Sequence, residues 1–325
     1  MRLAAILPHT KLYGGVKRFF EMGDVIVKRG HEFYVFTPEG KAPDWYHGKV
    51  ETRSTSSLYD QAFDALFITE IQYLDILKKA SARRKILYFV RPSDDLRLLK
   101  KYPEVEVFAN STNSLVIAKS KYGIEAFKAF GGINTDRFYP REDVAIEKNH
   151  IFTIMVYGRL VEKKKGTMLV VKACERLYRL GYPLRMLLFD TPVNEKAKLA
   201  IERFHTHVPY DFVLNHPVER NLELYHRADI FVAAEKNAGH SNTAAEAMAS
   251  GVPVIGTDSG TKDFLIHEET GWVVPRKSSR IAEAIALLIV DEELRRRLAR
   301  QAREKIKMYN WDALAEKILS HISMP

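Results

Sequence analysis

Short apolar runs alternate with amphipathic stretches along nearly the whole chain. Residues 2–8 read as a buried strand, and residues 16–29 carry apolar positions at helical spacing. Gly30 stops that helix, and residues 32–37 form a second strand. Further strands are expected at 65–69, 85–90 and 105–109, with helical patterns between them. Strands spaced by helices pair in parallel through right-handed crossovers, so the first half predicts a doubly wound α/β sheet.

Residues 138–150 interrupt the rhythm. The stretch is polar, contains Pro140 and reads as a linker. Beyond it strands are expected at 151–157, 184–189, 229–233, 252–256 and 271–274. A helix is expected at 166–180, a long charge-rich helical pattern at 280–308, and a last helix at 311–322. The expectation is a domain over 1–142, a second over 143–308, and a terminal segment over 309–325. A length of 325 residues suits about two α/β domains of ordinary size.

Composition narrows the picture. With 46% hydrophobic residues the chain fills two cores and is not a disordered segment. The single cysteine, Cys174, excludes an intramolecular disulfide, and no Cys/His spacing of the zinc type is present. Cys174 lies in an apolar helical stretch, which predicts inert packing. The first apolar run is too short, and too soon followed by charge, for a secretion signal. No apolar run approaches the roughly 20 residues of a membrane span. The expected location is therefore the cytoplasm.

The net charge of +9 calls for an acidic partner or a solvated basic face. Lys78, Lys79, Arg83, Arg84, Lys85, Arg97, Lys100 and Lys101 crowd the first half. No aromatic stacking motif accompanies them, which argues against nucleic acid and favours a peripheral place on an anionic membrane surface.

In open α/β sheets, ligands bind beyond the carboxyl ends of the strands. Four such loops carry candidate chemistry. After the first strand, His9-Thr10-Lys11-Leu12-Tyr13-Gly14-Gly15 either makes a tight turn or lets backbone amides approach an anion at a helix start. After the strand at 151–157, Arg159 offers a planar fork for phosphate and Lys165 a point charge beside Gly166. The alternative is a solvated lysine-rich loop. The third loop runs from Glu235 through Gly239, His240, Ser241, Asn242 and Thr243 into a short helix. Its open amides suit an anion. Glu246, one turn in, either accepts from two ribose hydroxyls or only complements the helix dipole, worth under about 1 kcal/mol. The fourth, Thr257-Asp258-Ser259-Gly260-Thr261-Lys262-Asp263, is rich in turn residues. Asp94-Asp95 is a lone acidic pair, read as a solvated turn or helix start.

At these residues the chain resembles the retaining glycosyltransferases of family four. The resemblance runs over nearly the whole chain and is carried by an ordered set. It comprises Gly158-Arg159-Leu160 with Lys165-Gly166, then Asn242-Thr243-Ala244-Ala245-Glu246-Ala247-Met248-Ala249-Ser250-Gly251-Val252-Pro253-Val254-Ile255, then Thr270-Gly271-Trp272-Val273-Val274-Pro275. Gly132-Ile133-Asn134-Thr135-Asp136-Arg137-Phe138-Tyr139-Pro140 matches the family's marker before the linker, with Asn134 where aspartate is usual. Tyr309-Asn310-Trp311 resembles the family's C-terminal segment.

That resemblance implies the GT-B fold, two Rossmann-like doubly wound domains facing across a cleft, with a terminal helix returning to the first. It implies transfer, with retention, from a nucleotide-diphosphate-sugar to a glycan or lipid-linked acceptor, with no cofactor and no metal. Gly14 and Gly15 would line the diphosphate, and Arg159 and Lys165 would bind it and stabilise it as leaving group. Gly239, His240, Ser241, Asn242 and Thr243 would help hold the donor, and Glu246 would hold the ribose.

Two departures stand out. The family's first glutamate falls on Ala238, with Glu235 three residues earlier, and the usual histidine after the strand at 85–90 is replaced by Arg91-Pro92. Arg91, Glu235 and His9 are therefore the candidate sugar or acceptor contacts. A same-fold epimerase or phosphorylase, or a catalytically weak nucleotide-sugar-binding subunit, is the alternative. A basic nucleic-acid binder ranks below these.

Overall fold

The computed structural model describes residues 1–141 and 149–324. The part of the expected linker at 142–148 lies outside the described residues. The chain divides into two compact units. One comprises Met1–Gly132 together with Tyr309 to the C-terminus, the other Ile133–Met308.

The first unit begins β1 (Arg2–Ile6), α1 (Gly14–Lys28), β2 (Glu32–Thr37), β3 (Glu51–Ser54) and β4 (Ala62–Ile68). It continues α2 (Leu74–Lys79), β5 (Ser81–Phe89), β6 (Val105–Ala109), α3 (Thr112–Tyr122) and β7 (Ala126–Lys128). All seven strands are parallel, in the order β3-β2-β1-β4-β5-β6-β7. The order reverses between β1 and β4, which sets the switch point of this sheet.

The second unit contains β8 (Phe152–Tyr157), α4 (Thr167–Arg179), β9 (Leu184–Asp190), α5 (Glu195–Glu202), β10 (Tyr210–Leu214), α6 (Asn221–His226) and β11 (Ile230–Ala233). Then follow α7 (Asn242–Ala249), β12 (Val254–Gly256), β13 (Trp272–Val273), α8 (Ser278–Val290) and α9 (Glu292–Lys307). Its six parallel strands run β10-β9-β8-β11-β12-β13, with the switch point between β8 and β11. The final helix, α10 (Trp311–Ser323), belongs to the first unit.

Apolar side chains on both faces of each sheet explain the layering. Leu3, Ala5, Phe19, Phe67 and Tyr88 join Trp311, Leu314, Ile318 and Ile322 of α10 in one core of the first unit. Ile6, Phe36, Leu66, Leu77 and Phe89 fill the core on its other face. In the second unit Val170, Cys174 and Leu177 of α4 pack with Ile281, Ile285 and Leu288 of α8 over β8, β9 and β11. Cys174 is fully buried, and burial pushes its thiol up to about 12, so it is inert at neutral pH.

Several expectations need correction. The charged pattern at 280–308 is two helices, because Asp291 leaves the helical conformation and its carboxylate caps α9 by accepting from the Leu294 amide. β3, β7 and β10 were not foreseen, since Glu51-Thr52-Arg53-Ser54 is polar, Ala126–Lys128 is three residues long, and all lie at sheet edges. Residues 133–141 belong to the second unit rather than the first. Arg303 donates to the carbonyls of Thr135 and Phe138, and the Phe138 ring meets Tyr225.

The basic cluster is also less free than its sequence suggests. Arg83 and Arg84 donate to carbonyls at the end of α10, Arg84 also pairs with Glu106, and Lys85 donates to the Lys78 carbonyl. Arg97 pairs with Asp95, and Arg91 with Asp94. Of the named cations, Lys78, Lys79, Lys100 and Lys101 remain as exposed lysines without an acid partner among the described residues. No helix among the described residues is long and apolar enough to cross a membrane.

Candidate functional site

In each unit candidate residues follow strands that flank the switch point, with Arg91, after β5, one strand further out. In the first unit, Gly14 and Gly15 are the opening residues of α1 rather than a tight turn. Their N-cap, Tyr13, makes no side-chain cap hydrogen bond. His9 stacks against Tyr13 at 5.3 Å, and its Nδ1 is buried with no hydrogen-bond partner among the described residues. Arg91 follows β5 and is held by Glu70 at 3.1 Å and Asp94 at 3.0 Å.

In the second unit, the loop after β8 carries Arg159 and Lys165, and the loop after β11 carries Glu235 through Ser241. The two loops are stitched together. Lys236 N donates to the Lys164 carbonyl at 2.8 Å, and Lys165 Nζ pairs with Glu235 Oε1. Gly166 is required by this approach. Its φ is +75°, and a Cβ there would stand 2.1 Å from the Ala234 carbonyl oxygen. Arg276, just after β13, completes the clamp by donating to the carbonyls of Ala234 and Lys163.

Arg159 is not the open fork that the sequence suggests. It is only 4% exposed. Its Nε bonds both oxygens of Asp190 at 2.9 and 3.1 Å, Nη2 donates to the Tyr157 hydroxyl at 2.6 Å, and Nη1 reaches Glu162 at 3.3 Å. Burial works against its charge, but Tyr157, Asp190 and Glu162 outweigh that and hold the guanidinium above its ordinary value. Asp190 ends β9, which pairs with β8, so the neighbouring strand orients the cation. The lysine is more accessible, with its side chain 28% exposed.

The loop after β12 reaches the same place. Ser241 N donates to the Gly260 carbonyl, Ala238 N to Ser259 Oγ, and Thr257 Oγ1 to the Glu235 carbonyl. Gly260, at φ +80°, lies against both Ala238 and Glu235 Oε2. The carboxylate of Glu235 and the Ala238 methyl thus both border Gly260. Glu235 Oε2 is buried and has no hydrogen-bond partner among the described residues.

α7 then starts at Asn242, with Ser241 at the N-cap making no side-chain cap bond. Gly239 and Ser241 are buried, and Asn242 and Thr243 half-buried. The His240 ring sits 5.3 Å from Phe264. Glu246 is buried, and its Oε2 accepts from the Tyr225 hydroxyl at 2.8 Å. A carboxylate merely complementing the dipole would be solvated. This one is built in.

Tyr225, Asp190, Tyr157 and Arg276 escaped the sequence reading. Arg276 was the most findable, one residue past the quoted Val274-Pro275. Tyr225 and Asp190 act from other strands and helices, and no local spacing links them to Glu246 or Arg159. Among the described residues no group of three or more His, Cys, Asp or Glu is arranged to hold a metal ion.

Comparison with known proteins bears on the family and the fold. Over 201 residues the chain is 28% identical to the capsular polysaccharide biosynthesis glycosyltransferase CapM of Staphylococcus aureus, covering 58% of this chain and 51% of that one. It is 27% identical to the D-inositol 3-phosphate glycosyltransferase of Corynebacterium glutamicum, covering 58% and 49%. The chain thus spans about half the length of these curated relatives.

Among solved structures, sucrose-phosphate synthase from Thermosynechococcus elongatus matches with a TM-score of 0.80 at 18% identity over 98% of both chains. Anabaena Alr3699/HepE in complex with UDP and glucose matches with 0.77 at 13% identity over 99% of both. These likenesses speak to the fold, which is GT-B. The family model described as Glycosyl transferases group 1 matches residues 140–305, the span that holds Arg159, Lys165, Glu235 and Glu246. With two parallel-sheet units and that match over half its length, the chain belongs to the glycosyl transferases group 1 family.

Proposed function

We propose that the protein is a retaining glycosyltransferase that moves a sugar from a nucleotide-diphosphate-sugar to a glycan or lipid-linked acceptor without a metal ion. The observation that carries this reading is the gathering of two cations, the open amides of α7 and two buried carboxylates at the switch point of the second sheet. Cations and helix-opening amides suit a diphosphate. A buried carboxylate suits hydroxyl donors, which a ribose and a hexose supply.

In this reading Glu246 accepts from the ribose hydroxyls, and Glu235 Oε2 accepts from the transferred sugar in place of the glutamate absent at Ala238. Asn242 and Thr243 present amides to the diphosphate, with Gly239, His240 and Ser241 shaping its loop. Lys165 supplies a point charge. The Glu162 contact, the longest of Arg159's carboxylate bonds, is the one the diphosphate displaces. A cation about 4 Å from the leaving phosphate contributes roughly 4 kcal/mol at an effective dielectric near 20. Stabilising charge that develops as the glycosidic bond stretches is where such a site gains most. The leaving phosphate itself accepts the acceptor proton, so no dedicated base is needed. The capsular and inositol-phosphate relatives support a polyhydroxylated acceptor. The exposed lysines of the first unit support docking on an anionic membrane surface.

A thermal-shift panel of UDP, GDP and ADP tests the donor class. The matching nucleotide at 100 times its Kd stabilises by about 2.7 kcal/mol. No shift with any of them, and no sugar transfer from their hexose conjugates, would overturn the proposal. The anomeric configuration of a product, read by proton NMR, tests retention.

Tyr225 is a positioning residue in this scheme. Its hydroxyl fixes Glu246 from α6, the helix next to α7. Hydrogen bonds to a charged group contribute about 1.5–3 kcal/mol. Tyr225→Phe should raise donor KM by roughly tenfold and leave kcat nearly unchanged. A fall in kcat at constant KM would assign Tyr225 to the chemistry instead.

A further inference from the structure

A cavity of about 570 Å³ lies wholly within the second unit, at the opposite end of the sheet from the proposed donor loops. Its walls include Ala228 and Asp229, just before β11, and Val252 and Pro253, just before β12. The donor candidates follow the carboxyl ends of the strands. This cavity is at their amino ends.

Five arginines line it: Arg141, Arg295, Arg296, Arg300 and Arg303. The lining holds two carboxylates, and both are engaged. Asp229 accepts from Arg141, His150 and the Thr153 amide, and Glu304 pairs with Lys307. Arg296 pairs with Glu292. The remaining charges are offset only from a distance among the described residues, by Glu292, Asp229 and Asp291 for Arg295 and by Glu304 and Asp136 for Arg303. Arg303 donates to the carbonyls of Phe138, Ala249 and Thr135, and Arg295 to those of Leu288 and Ile289. A carbonyl satisfies an N–H but does not neutralise a cation. Among the described residues neither Arg295, Arg303 nor Arg300 makes a direct ion pair with a carboxylate. Burial pushes the guanidiniums of Arg295 and Arg303 below their ordinary value, outweighing the attraction of the nearby carboxylates.

We infer that this cavity is a binding site for a multiply charged, phosphate-bearing ligand, separate from the donor site. Guanidinium forks match phosphate oxygens in pairs, and three cations without a direct ion pair among the described residues suit more than one negative charge. The volume falls within the range of small-molecule pockets of about 300–1,000 Å³, larger than a bare ion needs.

The test is calorimetric titration of the full chain with inorganic tripolyphosphate at physiological ionic strength. Three proteins are compared: the unaltered chain, Arg300→Glu and Lys165→Ala. Arg300 is exposed, so its reversal should leave the unfolding temperature unchanged. The expected result is a Kd at least tenfold weaker in Arg300→Glu, with binding in Lys165→Ala retained for one site. Binding indifferent to Arg300→Glu, or abolished by Lys165→Ala, would overturn the inference, as would no binding at that salt. Co-sedimentation with vesicles of phosphatidylglycerol and phosphatidylcholine separates the sources. Sedimentation that depends on Arg300 assigns the phosphate to a lipid headgroup. Tripolyphosphate binding that depends on Arg300 without such sedimentation assigns it to a soluble compound. Either outcome upholds the site.

Discussion

Arg159→Ala is expected to lower turnover by about 10²-fold or more, the loss typical when a preorganised charge donor is removed from a developing anion. The structure adds a second consequence. Asp190 would be left buried without its counter-ion, and breaking a buried pair in this way costs about 3–5 kcal/mol. Lost activity in that variant alone would therefore be ambiguous. A double variant, Arg159→Leu with Asp190→Asn, removes both charges together and should recover most of the stability. Its turnover should stay low. Steady-state kinetics with thermal unfolding on both proteins checks this. If the double variant regained normal turnover along with stability, Arg159 would be a structural clamp and the leaving-group role would fail.

Trp311→Ala should destabilise the first unit by about 3–5 kcal/mol, as large-to-small changes of buried aromatics do. Trp311 opens α10 and is 5% exposed in the core shared with Phe19 and Tyr88. The guanidinium of Arg18 lies 5.4 Å from both the Trp311 and Tyr88 rings. Gly132, at φ +104°, makes room for the indole, since a Cβ there would sit 2.3 Å from its ring carbons. Gly132 N also donates to the Tyr309 carbonyl at 2.7 Å, fastening the returning chain. Truncation leaves a cavity under α10 that this backbone cannot close. Amide exchange should quicken across α10 and α1 while α4 and α8 keep their protection. Equal loss in both units would show that α10 does not act on the first unit alone.

Much of the proposed donor site was legible because its residues are local in sequence. A strand, a short polar loop and a helix start lie within about a dozen residues, so apolar periodicity places Arg159, Lys165 and Asn242 at strand ends without any knowledge of neighbours. Gly166 and Gly251 mark helix ends, where a positive φ excludes most side chains. The break at Asp291 was hidden because an apolar helix and a charged helix share one period, and only the cap separates them.

The sequence by itself determined the α/β alternation, the parallel sheets, the inert cysteine and the family, since these follow from apolar spacing and short contiguous motifs. Tertiary structure decided the state of the charges. Whether Arg159 is open or clamped, whether Arg84 faces solvent or ties down α10, and whether Glu246 is solvated or fixed by Tyr225 depends on partners 21 to 240 positions away. Electrostatic energy follows distance in space and the local dielectric. Separation along the chain encodes neither.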